Sequence, residues 1–534
     1  MKNVVVLLLA AFASTGCVTA PHMNTSPSPV DKVLDPKDGI VVVSVTGNTS
    51  QVNQFDSIQV VPVQKETSSN SSDTAAKPLK QIYTLTQSSR GLARDTAVFA
   101  GVLPEGEYHF ERFSDDDTHQ YVALSEEMKK SLGTFTVSAG TLSDLGRIVI
   151  TPANYYLVTI GRSAKVTSNE PLVKRFLPDL YKSYSASKTI TGWTGPKDPM
   201  DISEESGLIH PVGATALTEL PNGEVAAATR MGTVLLRDRN GDWRRVTSGR
   251  LESLLWIAPY EEGDSRLLAA GEFNTLFRMD RNEHLHAVDT GDLPPGNLFF
   301  ITGNNVAGFF IAQTRGNDVF IYRSSALVNP KWEQIRQEKI GMSFWSGMQS
   351  FWAWPTSKGF AYATSKGGIH IYDYAAKSWT HRKAPNERSL SVVNAYPGDI
   401  WGIMTSPGGG FGGVFAKTHY TRDFGETWIE TNSPYSVKVS APKITPKGTI
   451  IETGGVFGKT GIQASHDNGK TWRQVTEKPV LADSFWVMPT AGLFLITDGR
   501  MGVETIEQSS DEGATWRVER TTFNRELYKQ QKKK

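Results

Sequence analysis

Apolar and polar positions alternate in short runs along most of this chain, and the runs are broken by turns rich in Gly, Pro and Asn. Residues 39–45, 57–63, 81–85, 96–103, 108–113, 120–124, 134–137, 147–150 and 155–160 are rich in Val, Ile, Thr, Tyr and Phe. A period of two with β-branched and aromatic residues predicts strands, and so many short strands in so short a segment predict a small β-sandwich over residues 39–162. One stretch breaks the pattern. Leu172, Phe176, Leu180 and Tyr184 have helical spacing, interrupted at Pro178. Residues 163–206 therefore read as a linker with a short helix. From 207 to 520 the alternation returns in units of four runs, such as 215–220, 224–229, 233–237 and 242–246.

The phase of these units is set by a phrase that recurs in the last third of the chain. Thr421-Arg-Asp423-Phe-Gly425-Glu-Thr427-Trp428 returns as Ser465-His-Asp467-Asn-Gly469-Lys-Thr471-Trp472 and as Ser509-Ser-Asp511-Glu-Gly513-Ala-Thr515-Trp516, each 44 residues after the last. In a hairpin the Asp accepts backbone N–H groups of its own turn, the Gly takes positive φ, and the indole covers the gap to the next unit. Trp243, Leu285, Trp332 and Trp379 hold the Trp position in decayed copies, which makes seven units. The pattern resembles the Asp-box, or BNR, repeat of sialidase-like β-propellers. That resemblance, with the count of seven, implies an all-β chain: a seven-bladed propeller with four-stranded blades over 207–520. A carboxylate needed once per repeat reads as structural, so Asp423, Asp467 and Asp511 are expected to hold turns. The passage from Phe99 to Tyr108 (FAGVLPEGEY) is similar to the strand turn of prealbumin-like domains, in keeping with a prealbumin- or Ig-like sandwich before the ring.

Composition narrows the partners. The 534 residues carry 56 basic and 55 acidic side chains, a net charge of +1, which gives no electrostatic case for nucleic acid. The only cysteine is Cys17, directly after Ser14-Thr15-Gly16 and an apolar run at 4–12 that follows Lys2. This arrangement resembles a bacterial lipobox. It implies a signal peptide over 1–17, lipidation of Cys17, a Pro/Ser/Thr-rich tether over 18–38 and, with Val18 next, an outer-membrane lipoprotein. Ser14 stands where the motif usually has Leu, which leaves cleavage after Ala13 or Ala20 as the alternative. Residues 521–534, ending in three lysines, read as a solvated tail.

Candidate chemistry lies on the face opposite the Asp boxes. The second run ends in Thr in six of the seven units, at 229, 314, 364, 405, 453 and 497, and Gly271 takes the place in unit two. The following loops bring Arg230, Glu272, Arg315, Lys366, Lys459 and Arg500 toward the channel face, where three arginines would suit a carboxylate or phosphate. The sialidase motifs themselves are missing: the first unit has Gly207-Leu-Ile-His-Pro211 without arginine, and no facing carboxylate pair can be assigned. No metal-ligand spacing occurs, and no cofactor is implied. The chain is more similar to non-catalytic seven-bladed Asp-box propellers such as the photosystem II assembly and stability factors. The expectation is a non-catalytic, envelope-anchored scaffold that presents a propeller face to a protein or glycan. The alternative is a divergent glycoside hydrolase of sialidase-like fold.

Overall fold

The computed structural model describes residues 37–48, 55–63, 81–115, 120–152, 158–199, 201–213, 216–343, 347–366, 368–395, 399–407, 415–455, 461–477, 485–499 and 503–522. Cys17, the signal peptide and the tail from 523 onward lie outside these residues.

Ten strands form the N-terminal domain: β1 (Asp38–Gly47), β2 (Ser57–Pro62), β3 (Tyr83–Gln87), β4 (Thr96–Pro104), β5 (Gly106–Asp115), β6 (Gln120–Ala123), β7 (Phe135–Val137), β8 (Leu142–Pro152), β9 (Val158–Arg162) and β10 (Ile190–Thr191). They make one sheet in the order β10-β8-β1-β4-β3-β2-β5-β6, with β7 added on β5 and β9 on β8. This is a half-barrel, where the alternation suggested two facing sheets. Alternation reports which face of a strand is buried, and a curled sheet satisfies it as well as a sandwich does. The pairing decides: β1 runs antiparallel to β4 and parallel to β8, with a bulge between Val42 and Ser44.

The run GIVVVSV is explained by burial on both faces. Val41, Val43 and Val45 join Phe99, Phe110 and Phe135 in one core. Ile40 and Val42 enter a second core with Val173, Phe176, Leu180 and Tyr184. The last four lie on two short helices, α2 (Glu170–Phe176) and α3 (Pro178–Ala186), after α1 (Glu126–Leu132). The break falls at Leu177 because proline excludes helical geometry from the residue before it.

Seven four-stranded antiparallel sheets follow, the first blade at Ala216–Glu219, Val225–Ala228, Thr233–Arg237 and Trp243–Thr247. The seventh uses Phe485–Met488, Gly492–Gly499, Val503–Ser509 and Arg517–Thr521. Each Trp-position residue, decayed copies included, opens or immediately precedes or follows the start of an outer strand, so the register read from the repeat is the register of the ring. Among the described residues every blade has its own four strands, and the first and last blades share none. Just before the ring the chain carries helix α4 (Ser203–Ile209).

The three intact boxes share one hydrogen-bond plan. The hydroxyl of Thr421, Ser465 or Ser509 donates to the Asp Oδ1 at 2.7–2.8 Å and accepts the Gly N–H at 2.7–2.9 Å. The same Oδ1 accepts the N–H of Thr427, Thr471 or Thr515. The residue before each Gly is also left-handed: Phe424 at φ 56°, Asn468 at 61° and Glu512 at 57°. Two consecutive positive φ values match the twist of a hairpin turn. Trp472 packs against Ile400 and Tyr420 of the preceding blade and Ile444 of its own, and its Nε1–H donates to Gly469 O at 3.1 Å. The boxes are turn-locks.

Candidate functional site

Loops that follow the second strands leave the ring on the face opposite the boxes, and on blades one to three this face is covered by the N-terminal half-barrel. This contact is built from several turns of blades one to three and several segments of the N-terminal part.

On blade two, Glu272 follows directly after the strand Ser265–Gly271 and is fully buried. Its carboxylate faces the Arg94-Asp95-Thr96 segment that begins β4. Oε1 accepts the N–H groups of Arg94 (2.7 Å), Asp95 and Thr96 (3.1 Å), and Oε2 accepts the Thr96 hydroxyl (2.8 Å) and the Ser253 N–H (3.0 Å). Burial, and after it the Asp95 charge, push this carboxyl up to about 7, against the pull of those donors. Asp95 is itself answered from blade one, where Arg230 Nε donates to Asp95 Oδ2 at 3.2 Å. Next to Glu272, Phe273 and Asn274 hold left-handed backbone at φ 49° and 52°. The turn lifts the Phe273 ring into the second core of the half-barrel, with its centroid 5.3 Å from that of Phe176. A bulky residue at positive φ is costly and persists where its surroundings demand it. Here the contact is the demand.

A second tie is the buried pair Arg147–Glu252, Nη1 to Oε1 at 3.0 Å, with side chains 1% and 6% exposed. Burial alone would raise Glu252, yet Arg147 and Arg250 hold its carboxyl down at about 2. Arg147 Nε donates to Ser44 Oγ on β1, so the charge is anchored in the sheet. Around these lie smaller contacts. Arg175 of α2 donates to Thr290 Oγ1 at 2.5 Å, and Gly316 N–H on blade three donates to Gly91 O at 3.3 Å. A Cβ on Gly91 would come within 3.2–3.3 Å of the Gly316 backbone, so glycine permits the approach. Asn48 closes the contact by donating to His210 O and accepting the Val212 N–H.

The candidate residues fall into three groups. Arg230 and Glu272 are brought together, through Asp95, as interface ties. Arg315 lies with its guanidinium 4.4 Å from the Phe320 ring of its own blade, and Lys366 is exposed on blade four. Lys459 and Arg500 lie outside the described residues. Arg230 and Glu272 lie on the face expected for them, but inside a closed contact and not at an open channel. Asp95, Arg147 and Glu252 were not among the expected site residues; their partners are 135 and 105 positions away in the chain. No local signal joins such positions. Among the described residues no three His, Cys, Asp or Glu side chains group as a metal site, and no helix is long and apolar enough to cross a membrane.

No protein-family model and no curated protein matches the chain. Among solved structures it overlays a crystal structure of the mitotic checkpoint complex at TM-score 0.37 and 13% identity, over 57% of this chain and 90% of that one. It overlays the crystal structure of the WD40 β-propeller domain of Doa1 at TM-score 0.35 and 13% identity, over 59% and 94%. Both overlays are loose, and the propeller assignment rests on the blade topology described above.

Proposed function

We propose that the protein is a non-catalytic scaffold of the bacterial envelope, lipid-anchored at Cys17, that offers the channel-face rim of blades four to seven to a protein or glycan partner. The observation that carries this reading is the seating of the half-barrel on blades one to three. Buried charges and an apolar anchor join the two parts, so the ring is held in a fixed orientation. Lys366 on blade four and Phe415 on blade five remain exposed on the same face, Phe415 at 67%. Large exposed aromatics on a fixed surface are typical anchors for a partner. The lipobox-like segment before Cys17 and the Pro/Ser/Thr-rich stretch after it are the sequence features that support the anchor in this reading.

A photo-crosslinking residue at position 415 tests the face, with position 306 on the box face as control. In native envelopes a discrete adduct is expected from 415 and none from 306. Equal labelling at both positions refutes the assignment of the face. The anchor is tested separately: Cys17→Ser should lose incorporation of labelled fatty acid and leave the membrane fraction.

A further inference from the structure

The ring closes between its first and last blades, and at that seam residues of the two outer strands line an open cleft of about 470 Å³. We propose that this cleft is a binding site for a small organic carboxylate, held by Arg245 from the first blade and Arg520 from the last. Its size falls within the range of small-ligand clefts. Its walls are Ile209, Trp243 and Leu235 on the apolar side and Arg245, Glu519 and Arg520 on the polar side.

The charges on this wall are unbalanced in a particular way. Glu519 is already taken: Arg237 binds both of its oxygens, Trp243 Nε1–H donates to it at 3.1 Å, and Arg517 adds a further bond at 2.6 Å. Arg520 is fixed by its Nη2 donating to Pro211 O at 2.6 Å and by Glu504 at 3.4 Å from its Nη1. Arg245, exposed on the outer strand of blade one, faces the same cleft without a carboxylate among its described contacts. The crowding of cations registers on their neighbours. Burial, then Arg520 and Arg245, lower the His210 imidazole, and Arg245 adds to the burial that lowers Arg520. Asp242 at the mouth is the one further acid in the wall. The Arg245 guanidinium offers bidentate donors for a carboxylate, Arg520 adds positive charge beside it, and the Trp243 indole gives an apolar surface for the body that carries it. The site is distinct from the open rim of blades four to seven, so its failure would leave the proposed function standing.

The test is calorimetric titration of the full chain with glucuronate, with glucose as the uncharged control and inorganic phosphate as a second anion. Millimolar binding of glucuronate is expected, weakened by added salt, with glucose silent and phosphate weaker. Arg245→Ala should reduce the affinity at least about tenfold with an unchanged melting temperature, since the side chain is exposed. Asp242→Asn, which removes the competing acid, should tighten binding. The proposal is overturned if glucose binds as well as glucuronate, if phosphate binds more tightly, if Arg245→Ala changes nothing, or if no heat appears up to roughly 50 mM ligand.

Discussion

Arg237 holds Glu519 across the seam of the ring with both ends of its guanidinium, Nε to Oε2 and Nη2 to Oε1, each at 2.6 Å. The side chains are 6% and 1% exposed, and the pair joins the third strand of the first blade to the last strand of the seventh. A ring with no shared strand must be closed by side chains. Leu217, Val225 and Leu235 meet Met488, Phe494 and Ile506 there, and Glu219 accepts the N–H groups of Thr490 and Ala491.

Arg237→Met is therefore expected to destabilise the ring by about 1.5–3 kcal/mol, because it leaves the buried Glu519 carboxylate with only the exposed Arg517 and the Trp243 N–H as partners. The double variant Arg237→Met/Glu519→Leu should recover much of that loss, since an apolar pair of similar volume removes the uncompensated charge. Urea denaturation of the three proteins measures both; equal stability of the single and double variants contradicts the argument.

The tie Arg147–Glu252 sets an acid limit on the contact between half-barrel and ring. The Glu252 carboxyl, held at about 2, lies below its unfolded value, so its contribution is complete above the ordinary carboxylate range and is lost as pH falls toward 2. Arg147→Gln should cost about 3–5 kcal/mol at neutral pH and flatten the acid limb of the stability profile. Hydrogen exchange at the Leu251–Ser253 segment should rise first.

Glu272 acts with the opposite sign. Its carboxyl is raised to about 7, so the folded protein binds a proton that the unfolded chain has released. Stability from this group is full below the unfolded value and declines as pH rises from there to about 7. The groups facing it are Asp95, just before β4, and, through Asp95, Arg230. Glu272→Gln should remove a slope of at most about 1.4 kcal/mol per pH unit over that window, read as the difference between the two melting profiles. An unchanged slope would show that the five donors, rather than burial, govern the carboxyl.

The Asp boxes should behave as turn-locks on solvated hairpins. Asp511→Ala removes acceptors for the Ser509 hydroxyl, the Thr515 N–H and the Thr515 hydroxyl. The Asp511 carboxyl is lowered to about 2 chiefly by the bonds from Thr515, so what it contributes is present above the ordinary carboxylate range and lost in acid. The variant should melt at a lower temperature than the parent by less than Arg237→Met does. It should bind glucuronate at the seam as the parent does. Loss of that binding would connect the boxes to function and contradict their assignment as scaffold.

The local pattern of this sequence determined much of the ring. A strand's alternation and a turn's Asp, Gly and Trp are properties of neighbouring residues, so the eight-residue phrase, recurring every 44 residues, was enough to number seven blades and to place Trp243, Leu285, Trp332 and Trp379 at outer strands. The break of the linker helix at Pro178 was legible for the same reason, since proline acts on the residue beside it. Tertiary structure decided everything that depends on which distant segments meet. Alternation in the N-terminal domain is equally consistent with two sheets or one, and only the parallel pairing of β1 with β8 chose the half-barrel. Arg230 and Glu272 had the right loops and the right face, yet their environment was set by Asp95 and β4, far away in the chain. A carboxylate's partners and its proton affinity follow from what is packed against it, and the closing of a ring follows from what its two ends bring together. Spacing along one chain encodes the first kind of contact and is silent about the second.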